Sequence, residues 1–384
     1  MQKISDITSN GRILFFGRTI IDNKTGGVFF NWSGSGFEVV FEGKRLDAYF
    51  CAIETVFPPE GTLWPWISVF VDNNETPAYE IAVDRHEHRV TLFSSEVSER
   101  HKIRVVKRSE NDKGKVGILG FELDGNFLSP EPVKSKYRLE FIGDSITCGF
   151  GNEAKRRDDM FKTEEENGLL TFSAIAAREI GAEYNSICIS GIPLCKPSDP
   201  QLKLVFPEFP EIESRSFAME DYYEYTDRLH EEKRGLKNSF TKWDFSRFLP
   251  YAIIINLGTN DSSQIKASKN KGAEERHFEA RYKEFLYKVR NLNGERPIIC
   301  CSLGPMDYYL YDNILNAVKE YKQETGDMRI FCHKFGGIFP DVEGYGAQDH
   351  PSVLTHKRMG KELAEKLKLW LGSEHGNGAE DTGL

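Results

Sequence analysis

The hydrophobic pattern of this chain changes period once, near Asn126, and that change constrains the fold more than any single residue does. Before it, Phe37, Val39 and Phe41 alternate with more polar neighbours, and Leu46, Ala48 and Phe50 repeat the alternation. Ile67 to Val71, Val90 to Phe93 and Ile103 to Val106 are β-branched or aromatic runs. No ten-residue helical stripe interrupts them between Arg12 and Leu123. Short strands spaced by roughly 8–12 residues predict an all-β jelly roll or sandwich over residues 1–126.

After the change, apolar runs alternate with helical patterns. Leu139 to Ile142, Ser186 to Ile189, Ala252 to Leu257 and Ile298 to Ser302 read as buried strands. Between the last two, Phe278, Tyr282, Phe285, Leu286, Val289 and Leu292 fall at helical spacing, and Met359, Leu363, Leu367 and Trp370 mark a final helix. This alternation predicts an α/β fold over residues 137–372, a flavodoxin-like parallel sheet with helices on both faces, whose ligands bind at the carboxyl ends of the strands. Pro130 and Pro132 suit a stiff connector over residues 127–136, and residues 373–384 carry few apolar side chains, which predicts a disordered tail.

Acidic residues outnumber basic ones by 59 to 50 without a long basic run, so the electrostatic footprint of a nucleic-acid binder is missing. No apolar stretch approaches the roughly 20 residues that span a bilayer, and the start turns polar after Ile4. The expectation is a cytoplasmic protein as the sequence stands, secreted if a leader was removed. The seven cysteines include no Cys-x-x-Cys pair. His86-Glu87-His88 lacks further ligands, so it reads as an exposed loop and not a metal site. No organic cofactor and no obligatory protein partner is expected either.

The strongest local signal is the apolar strand Leu139 to Ile142 running into Gly143-Asp144-Ser145. It places a serine hydroxyl at the sheet's carboxyl edge, where the serine N–H can face a bound oxyanion. As an isolated feature it reads equally as a helix N-cap. Ser190-Gly191 follows a second strand, Gly258-Thr259-Asn260-Asp261 a third, and Asp349-His350-Pro351-Ser352 precedes the last helix.

In this order the segments resemble the four blocks of the SGNH, or GDSL, hydrolases. The resemblance implies Ser145 as nucleophile, Gly191 N–H and the Asn260 amide as oxyanion donors, and His350 as general base. The family usually places an aspartate two or three residues before this histidine, where Ala347 and Gln348 stand here. Asp349 is the nearest carboxylate, but neighbouring side chains diverge in extended structure. Either Asp349 is repositioned locally, or a backbone carbonyl orients His350 and leaves a Ser-His dyad.

The β-rich first half, the connector, Gly143 to Gly151, and Trp243-Asp244-Phe245-Ser246-Arg247-Phe248-Leu249-Pro250 leading to the Gly-Thr-Asn-Asp strand make the chain similar to carbohydrate esterase family two. His356, six residues after His350, adds to the likeness. The resemblance implies a jelly roll joined to an SGNH hydrolase that removes O-acetyl groups from plant polysaccharides or oligosaccharides of the xylan or mannan type. Where that family often carries an aromatic residue before its histidine, this chain has Asp349. Trp64, Trp66 and Trp243 are candidates for stacking on sugar, against the plainer expectation that they pack in the core. The alternatives are a non-catalytic carbohydrate-binding protein on a degraded esterase scaffold, or an SGNH lipase or thioesterase.

Overall fold

The computed structural model describes residues 1–57, 61–131, 134–199 and 217–376. Pro132 of the expected connector and residues 377–384 of the expected tail lie outside them. The final helix, Val353–Gly376, runs on into the segment expected to be disordered. By their contacts the residues group into two compact units, Met1–Lys134 with Met160–Leu169 and Tyr225–Trp243, and Ser135–Asp159 with Leu170–Glu224 and Asp244–Leu384. Sequence periodicity had kept residues 160–169 and 225–243 with the α/β region.

The first unit is built on a nine-stranded sheet whose pairs are all antiparallel. Its strands are fewer and longer than the sequence suggested. Phe37 to Phe41 and Leu46 to Phe50 belong to one strand, Gly36–Ile53, and Val90 to Phe93 and Ile103 to Val106 to another, Glu87–Lys107. The apolar positions are odd-numbered in the first run and even-numbered in the second, so a regular strand would send them to opposite faces. A register shift at Lys44, between the pairs Arg45–Asp124 and Gly43–Gly125, absorbs one residue. All six side chains then enter the same core. A Cβ on Gly43 would lie 2.0 Å from the Asp124 carbonyl oxygen, so only glycine fits this crossing.

The two later segments join this unit through buried polar contacts. Asp227 accepts from the Asn31 side-chain amide at 2.6 Å and from that of Asn111 at 3.0 Å. Trp32 Nε1 donates to the Thr226 carbonyl at 2.9 Å, and Glu166 accepts from the Glu110 N–H at 2.8 Å. Each contact satisfies a buried polar group.

The second unit holds five parallel strands in the spatial order Ala182–Cys188, Tyr137–Gly143, Ala252–Asn256, Ile298–Leu303, Ile330–Lys334. Leu139, Phe141, Ile254 and Cys300 share an apolar cluster with Phe172 and Ala176 of helix Phe172–Glu179 and Met359, Leu363 and Leu367 of helix Val353–Gly376. Cys301, one residue on and so on the opposite face, meets Tyr282 of helix Lys271–Asn293. Both faces are thus covered, which is why these strands are continuous apolar runs rather than alternating ones. The first strand in sequence lies between the second and third, so the strand order reverses beside its carboxyl end, where open α/β sheets leave a crevice.

Candidate active site

Strand Tyr137–Gly143 ends on Gly143, where a Cβ would lie 2.0 Å from Thr147 Oγ1, and the chain turns at once into the short helix Ser145–Cys148. Asp144 caps it, Oδ1 accepting from the Ile146 N–H at 3.0 Å. Ser145 therefore opens the helix at the reversal point of the sheet, with 9% of its surface exposed. Burial pushes the Asp144 carboxyl up to about 7, and the nearby Asp261 carboxylate adds to the shift.

His350 comes from the other end of the chain, and its loop is fastened to the loop after Ser145. The Ala347 N–H donates to the Gly151 carbonyl at 2.9 Å, and the Val353 N–H donates to the Asn152 carbonyl at 3.1 Å. Gly151, at φ 54°, lies so close to Ala347 that a Cβ on it would stand 2.4 Å from the alanine Cβ. This seam brings His350 Nε2 to 2.9 Å from Ser145 Oγ. The ring also packs on Phe150, with centroids 4.5 Å apart.

His350 Nδ1 faces the Gln348 carbonyl at 3.0 Å and the Ala347 carbonyl at 3.2 Å. Carbonyl oxygens only accept, so Nδ1 carries the proton and Nε2 is left to accept from the serine hydroxyl. Burial lowers the ring's pKa to about 4 against the opposing pull of these carbonyls and of Asp349, so the imidazole is neutral at pH 7. Of the two arrangements the sequence left open, the structure has backbone carbonyls facing Nδ1. The Asp349 carboxylate pairs instead with Arg157. Gln348 and Asp349, at φ 49° and 64°, are consecutive left-handed non-glycine residues, a conformation costing on the order of 1–2 kcal/mol per residue.

The remaining sequence candidates form a second connected group. Gly191 follows strand Ala182–Cys188 at φ 76°, and the Ile189 N–H donates to the Gly143 carbonyl at 3.3 Å, tying this turn to the serine-bearing strand. Asn260, in the first turn of helix Thr259–Ala267, donates from Nδ2 to the Ile192 carbonyl at 3.0 Å, and that amide nitrogen carries a second hydrogen. Asp261, given no role by the sequence, accepts from the Leu194 and Cys195 N–H groups at 2.9 and 3.2 Å and so fixes the rest of the Gly191 loop. Its own signal was its place directly after Asn260. Arg157 carried no signal at all.

The tryptophans are not free platforms. Trp243 is 6% exposed with the Arg18 guanidinium 5.3 Å over its ring, the packing arrangement that the plainer expectation gave it. Trp64 packs on the β core and edge-on to His86, and Trp66 lies beneath Arg108. His356 is buried and accepts from the Phe172 N–H at 3.3 Å, a packing role. Beside the histidine loop lies a cleft of about 480 Å³ lined by Asn152, Lys155, Arg157, Tyr345 and Leu354, among others.

A serine at the carboxyl edge of a parallel sheet, bonded to a histidine of defined tautomer, defines the class of the GDSL-like lipases and acylhydrolases, whose family profile matches residues 139–363. Residues 15–132 match the profile described as carbohydrate esterase 2 N-terminal. The chain belongs to carbohydrate esterase family two. It is 31% identical over 351 residues to the cellulase/esterase CelE of Acetivibrio thermocellus, matching over 89% of its own length and 37% of that protein's, so it spans little more than a third of that relative. It is 24% identical to an acetylxylan esterase / glucomannan deacetylase of Cellvibrio japonicus, with 94% of this chain and 89% of that one covered. Among solved structures, a family two carbohydrate esterase from Clostridium thermocellum in complex with cellohexaose superposes with a TM-score of 0.75 at 30% identity, covering 94% of this chain and 99% of that one.

Proposed function

We propose that this chain is a serine esterase that removes O-acetyl groups from plant polysaccharides or their oligosaccharides. The observation that carries the proposal is the 2.9 Å contact between Ser145 Oγ and His350 Nε2, with Nδ1 held by two carbonyls. A neutral imidazole so oriented takes the hydroxyl proton as Ser145 attacks the acetyl carbonyl. The N–H groups of Ser145 and Gly191 and the free hydrogen of the Asn260 amide are the candidate donors to the oxyanion. His350 then returns the proton to the departing sugar hydroxyl, and water repeats the sequence on the acetyl-enzyme. Neither a metal nor a reducing equivalent enters this balance. The names of the relatives, acetylxylan esterase and glucomannan deacetylase among them, support acetylated xylan or mannan as substrate class.

The test is acetate release from acetylated xylo- and manno-oligosaccharides by wild type and by Ser145→Ala, with acetyl and octanoyl nitrophenyl esters alongside. Release that vanishes in the variant and favours the acetyl ester is expected. Equal release by both proteins would remove Ser145 from the reaction, and preference for octanoyl would point to a lipase.

A further inference from the structure

A turn of two left-handed non-glycine residues does not hold itself, and this one carries a carbonyl that sets the tautomer of His350. The residue that grips it is Arg157. Its carbonyl accepts from the Gln348 N–H at 2.7 Å, and its guanidinium pairs with the Asp349 carboxylate. The same guanidinium lies 5.0 Å over the ring of Tyr345, which bridges to Pro351 on the far side of His350. One side chain thus touches Asp349, directly before the histidine, and Tyr345, the residue bridged to Pro351 just after it.

We propose that Arg157 is a positioning residue for the Ser145–His350 pair, acting through Asp349 on the left-handed turn that presents the carbonyls to the imidazole. The proposal rests on the esterase reading above. It gives Asp349 a part in the site without making it the third member of a triad. The position directly before the histidine holds the turn through charge.

The experiment compares Arg157→Ala, Arg157→Lys and Asp349→Asn in the full chain. The main-chain bond from Gln348 survives all three, so they report on the side chains. Arg157→Ala is expected to lower kcat by about 10–100-fold, the order of loss from a small misplacement of a reacting group, with KM within about threefold of wild type. Arg157→Lys keeps the charge and is expected to stay within about fivefold in kcat. Asp349→Asn breaks the same ion pair in a residue type that tolerates the left-handed region, so its loss is expected to match that of Arg157→Ala, about 10–100-fold. A loss near 10⁴, the order found when a triad aspartate becomes asparagine, would make Asp349 the direct partner of the imidazole and overturn the proposal.

A second readout does not depend on turnover. The imidazole ¹⁵N spectrum, with His350 assigned by its disappearance in His350→Gln, should show one tautomer protonated at Nδ1 in wild type and a mixture in Arg157→Ala. Unchanged kcat with an unchanged spectrum overturns the proposal, as does a loss confined to KM, which would make Arg157 a substrate contact. If wild type and Ser145→Ala release acetate equally, the esterase reading falls, and the spectrum still decides whether Arg157 holds the ring.

Discussion

Asn260 has one amide hydrogen on the Ile192 carbonyl and a second that the proposed mechanism assigns to the oxyanion. Asn260→Ala removes both, so kcat should fall by about 10²–10³, the usual effect of losing one oxyanion donor. Steady-state hydrolysis of an acetyl ester checks it, and an undiminished kcat would take Asn260 out of the oxyanion hole. On the proposed mechanism His350 sets the acid limb of activity. With its ring held down to about 4, the general base stays neutral until the pH approaches that value, so kcat should persist through pH 5 and fall near 4. The same depression acts on stability. The unfolded ring takes its proton near 6.5 and the folded one only near 4, so this contribution is complete above 6.5 and is lost progressively as the pH falls toward 4.

Asp144 has the opposite sign. Its carboxyl ionises near 3.8 unfolded and near 7 folded, so stability drains away as the pH rises between those values. Asp144→Asn abolishes that loss, and its melting temperature relative to wild type should therefore be higher at pH 8 than at pH 4. A difference that is flat with pH would mean that the carboxyl titrates normally. These carboxylates were within reach of a sequence reading only as letters in a motif. Gly143-Asp144-Ser145, Gly191 and Asn260 stand just after apolar strands that the sequence marks, and parallel strands gather those ends at one edge, while their roles, and His350 altogether, were legible only through the likeness to the SGNH blocks. The partner of Nδ1 was not legible, since it depends on the sign of φ at Gln348 and Asp349, which no side-chain pattern encodes.

At the scale of elements, two close approaches do the positioning, and each admits only glycine. Gly43 lets strand Gly36–Ile53 change the parity of its apolar face against strand Lys115–Leu128. Gly43→Ala drives a methyl into the Asp124 carbonyl and should destabilise the protein by about 1–3 kcal/mol, the usual range for overpacking, as measured by denaturant titration. A midpoint equal to wild type would mean that the crossing relaxes freely. The alternation in the sequence was visible on either side of Gly43, but it read as two strands because the bulge that joins them leaves no apolar mark. Gly151 plays the corresponding part between the serine and histidine loops.

At the scale of the molecule, the chain enters the α/β unit after Lys134 and returns to the β unit at Met160–Leu169 and again at Tyr225–Trp243. Hydrophobic periodicity missed both returns because they are joined by polar groups. Asn31, Asn111, Trp32 and Glu110 find partners there, and each such buried group left unsatisfied costs about 1–3 kcal/mol. Their sum rivals the roughly 5–15 kcal/mol by which a domain is stable. The fragment Met1–Lys134 is therefore expected to lack a cooperative melt by circular dichroism. A sharp transition from it would show that the sheet alone suffices.

Those returns also set a timetable. Synthesis runs from the amino terminus at about 5–20 residues per second, and domains ordinarily close as they emerge. Here the strands laid down first are expected to wait until Trp243 has followed them out of the ribosome, with the buried acids and amides of the sheet solvated until then.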